Sequence, residues 1–563
     1  MYEFFLTDSL EKVFADSRPR PIQDHTVFSL QGGKIAFQLA YFVASSSDID
    51  RMQQFKVTIN GAPSTVRIRT VELVPSQLPA LAERDSAYLR TEPGLFPDLL
   101  TPCDGLIRPI PGQWRSLFID FTVDQNAAGP YTITLSVVPV EHQVLGNGQS
   151  MDMKPWLSSS HEQLSLFVIN ASIPKQKLLV TQWFHADCLA NYYMVNVFCE
   201  QYWNIVESFI WFAAKEAGIN MLLTPIFTPP LDTEIGQTRT TVQLVQIEKK
   251  GDRYFFTWDH LRRWCAICKK AGITHLEMAH LFTQWGALYT PKIVAKVEGR
   301  EEDLFGWHVK ATDPDYRAFL QAFIPELLIV LEEEGYEKNF LRFHISDEPN
   351  LEQLESYLKA KQQVEDLLDG CVIMDALSDF EFYKTGIVQH PVCANDHIGP
   401  FLEHKVPNLW IYYCVAQNKD VPNRFFSMPS SRNRIMGVLM YLYQIEGFLH
   451  WGYNFYNSQY SKKPINPFLV TDCDLAFPSG DAFIVYPGED GSVLSSLRNE
   501  IQKEGFEDMQ CLSMLESLTS RSFVFSLLHE DLSYTITFDH YPMDAVYLLK
   551  MRKRCLEEIH MRL

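Results

Sequence analysis

Two patterns of hydrophobic and polar positions divide the chain. Between residues 26 and 174, apolar and polar residues alternate in short runs such as 117–123 and 131–137, and turn signals such as Asn60-Gly61 separate them. A period of two is typical of β-strands with one buried and one solvated face. We therefore predict an antiparallel β-sandwich and assign it to residues 1–175.

After the segment 174–177, the pattern changes to short apolar runs separated by helical stretches, which is typical of a parallel sheet covered on both faces. Eight such units in about 280 residues fit an α/β fold of the (β/α)8 TIM-barrel type, which we place at residues 176–480 as the catalytic domain. An open doubly wound sheet is the alternative, but no Gly-x-Gly-x-x-Gly turn follows the first run. The predicted strands span residues 178–183, 219–224, 274–281, 340–345, 371–377, 391–394, 409–413 and 448–453. Predicted helices span residues 201–217, 258–271, 314–334, 351–368 and 431–446.

The remaining residues, 481–563, are expected to cap the barrel or to form a small extra domain. Their pattern predicts a strand at 483–486, a helix at 493–518, two strand-like runs at 523–527 and 534–538, and a final basic-rich helix.

Charge and composition narrow the class of partner. The 563 residues carry 49 Lys and Arg against 69 Asp and Glu, and the resulting net charge of −20 would repel nucleic acid and anionic membranes. The 11 cysteines follow no disulfide pattern, the N-terminus lacks the basic start of a signal peptide, and no apolar stretch is long enough to span a bilayer. We therefore expect a cytoplasmic protein without membrane insertion. Aromatic residues make up 13% of the chain and suit both a large core and a sugar-binding cleft.

The most informative segment is 341–350, Leu-Arg-Phe-His-Ile-Ser-Asp-Glu-Pro-Asn, a predicted strand that ends in two adjacent carboxyl groups, Asp347 and Glu348. Residues just past the carboxyl end of a barrel strand face the active site. The alternative is a helix start, in which Asp347 or Asn350 caps the helix and the Glu348 carboxylate is stabilised by the positive N-terminal end of the helix.

Two carboxyl groups in a shared cleft repel each other, so one should retain its proton and serve as a general acid, as glycosidases require. A retaining glycosidase usually holds its two carboxyl groups ~5–5.5 Å apart on opposite sides of the scissile bond. Two residues adjacent in sequence are poorly placed to reach both sides of that bond. Adjacent residues fit another mechanism. The 2-acetamido oxygen of the substrate attacks the anomeric carbon, Glu348 protonates the leaving oxygen, and Asp347 holds the acetamido N–H.

Several ordered motifs from about residue 183 onward resemble glycoside hydrolase family 123. They are 344–349 (His-Ile-Ser-Asp-Glu-Pro), 410–414 (Trp-Ile-Tyr-Tyr-Cys), 447–454 (Gly-Phe-Leu-His-Trp-Gly-Tyr-Asn), 486–488 (Tyr-Pro-Gly), 496–500 (Ser-Leu-Arg-Asn-Glu) and 505–508 (Gly-Phe-Glu-Asp). The resemblance implies a retaining exo-β-N-acetylgalactosaminidase with an N-terminal sandwich and a barrel, acting without metal or organic cofactor through an oxazolinium ion. It assigns the orientation of the acetamido group to Asp347 and the acid/base role to Glu348. Only the resemblance indicates galacto over gluco preference.

Other residues at predicted strand ends are candidates for substrate binding. The hydroxyl of Tyr412 or Tyr413 is a candidate donor to the acetamido oxygen, but only one of the two side chains faces the barrel and the sequence does not show which. Trp451 and Asn454 are candidates for a stacking platform and a hydroxyl-reading amide. Each of these side chains has packing in the core as its alternative. Further candidates are Trp285, Trp410, His280, His344, Asp396, His185 and Asp187.

The spacing His275-x-Glu277-x-x-His280 superficially suggests a metal site. On a strand it places the two imidazoles on opposite faces, so no metal is expected. The expected partner is a small glycan with terminal β-linked N-acetylgalactosamine, from an oligosaccharide or a glycosphingolipid, and the sequence leaves the oligomeric state open. Two alternatives remain. One is a β-N-acetylglucosaminidase or dual hexosaminidase with the same chemistry, and the other is a carbohydrate-binding protein without turnover.

Overall fold

The alternating N-terminal region forms two five-stranded sheets that share one apolar core. The strand order is β1-β3-β8-β5-β6 in the first sheet and β2-β12-β9-β4-β7 in the second. All neighbours are antiparallel except β12 and β2, which run parallel. The strands are β1 (Tyr2–Asp8), β2 (Thr26–Gln31), β3 (Lys34–Val43), β4 (Phe55–Asn60), β5 (Arg67–Ser76), β6 (Gly94–Pro102), β7 (Leu106–Ile107), β8 (Arg115–Thr122), β9 (Gly129–Pro139), β10 (His142–Val144), β11 (Ser150–Asp152) and β12 (Ser160–Ser172). The computed structural model describes residues 2–44, 53–140, 142–144, 150–152 and 159–563.

An eight-stranded parallel barrel follows the sandwich, with the strand order β13-β24-β23-β22-β21-β20-β17-β14. The remaining strands of the chain are β13 (Leu179–Gln182), β14 (Met221–Thr224), β15 (Gln246–Lys250), β16 (Arg253–Thr257), β17 (His275–Met278), β18 (Ile293–Val297), β19 (Arg300–Phe305), β20 (Leu341–Phe343), β21 (Val372–Leu377), β22 (His390–Ala394), β23 (Trp410–Tyr412), β24 (Gly447–His450), β25 (Tyr486–Pro487) and β26 (Val493–Leu494). The predicted fold class is confirmed, because each of the eight predicted apolar runs overlaps one barrel strand.

The barrel closes at β13 and β14 through one residue. The backbone N–H of Val180 donates to Asn220 Oδ1 at 2.8 Å, and the Asn220 N–H donates to the Val180 carbonyl at 3.1 Å. Helices cover the outside of the barrel. One of them has Asp313 as its N-terminal cap, because the Asp313 side chain accepts a hydrogen bond from the Asp315 N–H, and Pro314 is its first residue. The helices are α1 (Ala186–Tyr193), α2 (Glu200–Lys215), α3 (Asp259–Ala271), α4 (Pro314–Glu333), α5 (Leu354–Lys361), α6 (Glu381–Lys384), α7 (Gly399–Glu403), α8 (Ser430–Arg434), α9 (Met436–Leu442), α10 (Leu497–Leu518), α11 (Arg521–His529) and α12 (Ala545–His560).

A four-stranded sheet, β16-β15-β18-β19, is inserted between barrel strands, and the sequence pattern did not predict it. The predicted helix 351–368 is short: a 3-10 turn over Leu351–Gln353 precedes α5, which ends at Lys361. Over the part of the chain that the structure describes, no helix is long and apolar enough to cross a membrane.

The C-terminal region differs from its prediction in four places. Of the predicted strand 483–486, only Tyr486 lies in a strand, β25. The run 523–527 lies in helix α11, because the Ser520 side chain caps its N-terminus and Val524 and Leu528 bury one helical face. The run 534–538 forms no strand, and the helix predicted from 493 begins at Leu497, after strand β26. A short apolar run fits either a strand or a helix. At residues 523–527 the Ser520 cap and the burial of two residues four positions apart favour the helix.

Helix α10 connects the sandwich to the barrel. Arg69 in the sandwich contacts Glu500 of this helix at 2.6 Å, and Arg498 contacts Asp98 of the sandwich at 2.8 Å. Gly505 of the same helix packs directly against α9 of the barrel. The C-terminal region therefore contacts both other regions, and the domain boundaries at 175 and 480 stay predictions.

Candidate active site

The carboxyl pair lies where strand β20 leaves the barrel. The backbone N–H groups of Ile345 and Ser346 donate to Asp375 Oδ1 at 3.0 and 3.3 Å, and these bonds fix the chain just before Asp347. The Glu348 N–H donates to the Ala376 carbonyl at 3.1 Å. Glu348 has φ of +43°, a left-handed conformation that costs energy for a residue with a side chain. Backbone bonds to strand β21 therefore hold the pair in a strained turn.

The pair does not cap the following helix. Asn350 is the cap: its side chain accepts from the Gln353 N–H at 3.1 Å, and the Gln353 side chain accepts from the Asn350 N–H at 3.2 Å. This capping box satisfies the helix start without either carboxyl group. Asp347 and Glu348 are therefore free to face the cleft at the carboxyl ends of the strands.

A cleft of about 180 Å³ opens above the pair. Its walls come from the carboxyl ends of strands β13, β14, β17, β20, β21, β23 and β24 and from the loops that follow them. The lining residues are Trp183, Leu231, Asp232, Gln284, Trp285, Asp347, Glu348, Ala376, Tyr412, Cys414, Val415, Leu449, Trp451, Gln459, Tyr460 and Phe477. A larger cavity of about 260 Å³ lies between the sandwich and α12, where no barrel strand end reaches it. The smaller cleft is therefore the candidate active site.

Both carboxyl groups are less acidic than usual. Burial and the neighbouring charge of Glu348 raise the pKa of Asp347 well above its ordinary range, and only the charge of His344 opposes this. Glu348 is reached by solvent from the cleft, but the surrounding protein still raises its pKa; the charge of Asp396 adds to this, and a hydrogen bond from Tyr412 opposes it. The pair therefore holds a proton to a higher pH than two isolated carboxyl groups would.

Tyr412 is the tyrosine that faces the cleft. Its hydroxyl donates to Glu348 Oε1 at 2.6 Å, and its side chain belongs to the core inside the barrel. Tyr413 points outward, where its hydroxyl accepts from the Gln502 side chain at 3.3 Å and its ring packs between the barrel and the helices. The alternation along strand β23 thus brings only Tyr412 to the site.

The three tryptophan candidates occupy different positions. Trp285 lies in the cleft wall with φ of +58°, and its ring meets that of Tyr460 edge to face at 5.9 Å. Trp451 also lines the cleft, and its indole N–H donates to Asp481 Oδ2 at 3.1 Å. Trp410 is buried inside the barrel two residues before Tyr412 and does not line the cleft.

Several polar candidates lie outside the cleft. Asn454 is fully buried, and its side chain bonds to both backbone groups of His185, so its amide holds the chain rather than facing a ligand. His185 and Asp187 are buried behind the wall, where Arg239 contacts both side chains. Asp396 is exposed at the rim and accepts from the Gln417 side chain at 3.0 Å.

The two histidine candidates lie beneath the carboxyl pair. His344 is fully buried between Glu277 and Asp375, at 2.7 and 3.3 Å. His280 is buried beside it, with the two rings nearly parallel at 4.4 Å. In the described ranges, no group of three or more His, Cys, Asp or Glu side chains has the arrangement of a metal site.

Sequence reasoning missed several residues that line the cleft. Burial raises the pKa of Asp232 to about 6, and this carboxylate accepts from the Tyr460 N–H at 2.9 Å. Gln284 is buried, and its Oε1 has no hydrogen-bond partner. Trp183 forms part of the wall at the end of β13. A polar side chain just after a predicted strand end was the signal for Gln284, whereas Asp232 and Tyr460 lie in long loops that carry no such signal.

Carboxyl groups at a strand end, in a sugar-sized cleft walled by indole rings, are what barrel enzymes use to cleave glycosidic bonds, and they put this chain in the class of barrel glycoside hydrolases. Residues 183–515 match the family model described as glycoside hydrolase 123, catalytic domain. The match covers more than half of the chain, and the protein belongs to glycoside hydrolase family 123.

One of the matched solved structures shares the fold along nearly the whole chain. A family 123 glycoside hydrolase from Clostridium perfringens, studied for glycolipid glycan hydrolysis, superposes with a TM-score of 0.72 at 15% identity, covering 99% of this chain and 98% of that chain. A Clostridium thermocellum xylanase 10B fragment has a TM-score of 0.32 at 7% identity, covering 89% and 94%. A family 5 glycoside hydrolase from Bacteroides vulgatus has a TM-score of 0.31 at 13% identity, covering 67% and 72%. The last two scores are too low to support an argument. No curated protein matched the chain.

Proposed function

We propose that the protein is a retaining exo-β-N-acetylgalactosaminidase that removes terminal β-linked N-acetylgalactosamine by substrate-assisted catalysis. The observation that carries the proposal is the adjacent pair Asp347 and Glu348 on the cleft floor, with neither carboxyl group used as a helix cap. The family and the glycolipid glycans named for its Clostridium perfringens member support the choice of substrate. A cytoplasmic location is part of this proposal.

In the first step, the acetamido oxygen of the substrate attacks the anomeric carbon while the glycosidic C–O bond breaks. Glu348 donates its proton to the leaving oxygen, and Asp347 accepts a hydrogen bond from the acetamido N–H, which gains positive charge as the oxazolinium ring forms. In the second step, the Glu348 carboxylate takes a proton from water, the water oxygen attacks the anomeric carbon, and the ring opens with retained configuration.

Tyr412 has two possible partners in this cycle. In the free protein its hydroxyl donates to Glu348, which stabilises the ionised form of that carboxyl group. Once Glu348 carries a proton, the same hydroxyl is available to donate to the acetamido oxygen, the role expected of a tyrosine on this strand. Trp285 and Trp451 supply indole walls on which a sugar ring can stack.

The substrate is tested by comparing aryl β-N-acetylgalactosaminide with aryl β-N-acetylglucosaminide hydrolysis. Faster turnover of the galacto substrate is expected, and faster turnover of the gluco substrate would establish the glucosaminidase alternative. A thiazoline analogue of N-acetylgalactosamine should inhibit competitively, and a plain β-galactoside should be inert. Binding of the analogue without hydrolysis of any of these substrates would establish a carbohydrate-binding protein instead.

A further inference from the structure

Three buried side chains form a line beneath the carboxyl pair. His344 Nε2 lies 2.7 Å from Glu277 Oε1, and His344 Nδ1 lies 3.3 Å from Asp375 Oδ1. All three side chains are fully buried. The three residues come from the neighbouring strands β17, β20 and β21 or their ends, so the barrel order itself brings them together.

Both carboxyl groups in this line are surrounded by donors. Glu277 accepts from the indole N–H of Trp183 at 2.8 Å and from the hydroxyl of Thr181. Asp375 accepts from the hydroxyl of Tyr357 and from two backbone N–H groups. Burial raises the pKa of Asp375, and the hydrogen bond and charge of His344, the hydroxyl of Tyr357 and the backbone N–H of Ser346 oppose this rise. Within the described chain, no lysine or arginine forms an ion pair with either one.

This geometry defines the charge of His344. A neutral imidazole has one N–H, whereas both ring nitrogens of His344 face a carboxylate oxygen. Nε2 forms a hydrogen bond with Glu277, and Nδ1 lies within ion-pair distance of Asp375 without the alignment of a hydrogen bond, so a second proton on the ring places positive charge between the two carboxyl groups. Although burial alone would lower it, the charges of Asp375 and Glu277 raise the pKa of His344 to about 10. His344 is therefore an imidazolium at neutral pH.

The other groups that face His344 do not supply this positive charge. The His280 ring stacks on it at 4.4 Å, and burial together with the His344 charge lowers the pKa of His280 well below its ordinary value, so His280 stays neutral. Trp183 meets it edge to face. Arg342 donates to backbone carbonyls of Asn339 and Leu341 at the opposite end of β20.

We propose that His344 is a positioning residue for the hydrolysis proposed above: held as an imidazolium between Glu277 and Asp375, it supplies the positive charge that favours the ionised form of Asp347 beside Glu348. Asp375 adds a mechanical link, because it binds the two backbone N–H groups that lead into Asp347. The part played in turnover rests on the proposed function, whereas the effect of His344 on the ionisation of Asp347 does not.

The first measurement follows Asp347 directly. Protein labelled with ¹³C at the aspartate side-chain carboxyls is titrated by NMR, and Asp347→Asn assigns the resonance. His344→Gln keeps a donor but removes the charge, so we expect the midpoint of Asp347 to rise by about one to two pH units. Glu277→Gln removes one negative charge instead, and it should lower the midpoint.

The double variant Glu277→Gln/His344→Gln distinguishes charge from shape. In the native protein the side chains of Glu277, His344 and Asp375 carry a net charge of −1. This net charge becomes −2 in His344→Gln and returns to −1 in the double variant. We therefore expect the double variant to bring the Asp347 midpoint most of the way back to its native value. A role in packing alone predicts the opposite, because two buried substitutions disturb the structure more than one.

The second measurement is the pH dependence of kcat/KM on an aryl β-N-acetylgalactosaminide. Asp347 must be ionised, so activity is lost as the pH falls through its pKa, and a higher pKa moves this acidic limb upward. We expect the limb to move up in His344→Gln and back in the double variant, while the basic limb moves less, because burial, Tyr412 and Asp396 are what shift the pKa of Glu348.

An Asp347 midpoint that is unchanged in folded His344→Gln would overturn the proposal. If that variant does not fold, a midpoint that is unchanged or raised in Glu277→Gln overturns it. A midpoint that shifts while the acidic limb stays in place overturns the part played in turnover. If the native protein hydrolyses no N-acetylhexosaminide, the proposed function fails, and the NMR midpoints still decide the effect of His344 on Asp347.

Discussion

Replacing Tyr412 with phenylalanine tests the link between the tyrosine and the general acid. The Tyr412 hydroxyl donates to Glu348 Oε1 at 2.6 Å, and its other near partner, Ser378 Oγ, is 3.5 Å away. The substitution removes this donor and leaves the ring in the barrel core. Because the bond stabilises the ionised form of Glu348, its loss raises the pKa of Glu348.

The size of the change follows from the strength of the bond. A hydrogen bond to a charged group contributes about 1.5–3 kcal/mol. Solvent reaches Glu348 from the cleft, so we take the lower end. Since one pKa unit corresponds to about 1.4 kcal/mol, the pKa of Glu348 should rise by about one unit. Glu348 acts as an acid only when protonated, and the basic limb of the pH profile should therefore move up by about one pH unit.

The assay is the pH dependence of kcat/KM on a disaccharide with terminal β-N-acetylgalactosamine, whose poor leaving group makes protonation essential. Tyr413→Phe is a matched control, because Tyr413 is the next residue but its hydroxyl faces outward to Gln502. We expect Tyr413→Phe to keep the native basic limb. A basic limb that stays in place in Tyr412→Phe would refute the reasoning, and so would an equal shift in both variants.

Three other substitutions test the site and its support. Glu348→Gln should lower kcat on poor leaving groups by about 10²–10⁴-fold and on activated aryl glycosides by less; equal losses on both count against its acid role. Asn454→Ala leaves the buried backbone N–H of His185 without a partner, while the His185 carbonyl keeps the Cys188 N–H at 3.2 Å, and it should lower the free energy of unfolding by about 1–3 kcal/mol in urea, whereas a loss under about 0.5 kcal/mol contradicts the pairing. In Gly437→Ala the new Cβ would lie 1.8 Å from a backbone oxygen of α10, and a loss of about 1–3 kcal/mol is expected by the same method. Gly399→Ala, where the space is open, is its control and should cost less.

The barrel was predictable because its strands are buried on both faces. Each strand then appears as a continuous apolar run, and helices of regular period separate the runs. The inserted sheet β16-β15-β18-β19 was missed because its strands are partly exposed and carry charged residues, as in Arg300–Phe305. Residues 523–527 were assigned the wrong structure because a run of five residues, four of them apolar, fits either period.

The candidate site was predictable only where its residues are local in sequence. Asp347 and Glu348 follow a strand directly, and their adjacency is a property of the chain. The choice between Tyr412 and Tyr413 was not predictable, because it depends on which side of strand β23 becomes the inside of the barrel. Asn454 carries the right amide for reading a hydroxyl, but the tertiary structure uses it to bind the backbone of His185.

The sequence by itself determined the order of strands and helices, the carboxyl pair at a strand end and the membership of a family of glycosidases. Those features depend on neighbouring residues and on periodic burial. Tertiary structure alone decided that Asp232 and Tyr460 reach the cleft from distant loops, and that His344 lies between Glu277 and Asp375. Closure of the barrel brings these residues together across large separations in sequence, and the low-dielectric interior then makes the charge of each one matter to the others.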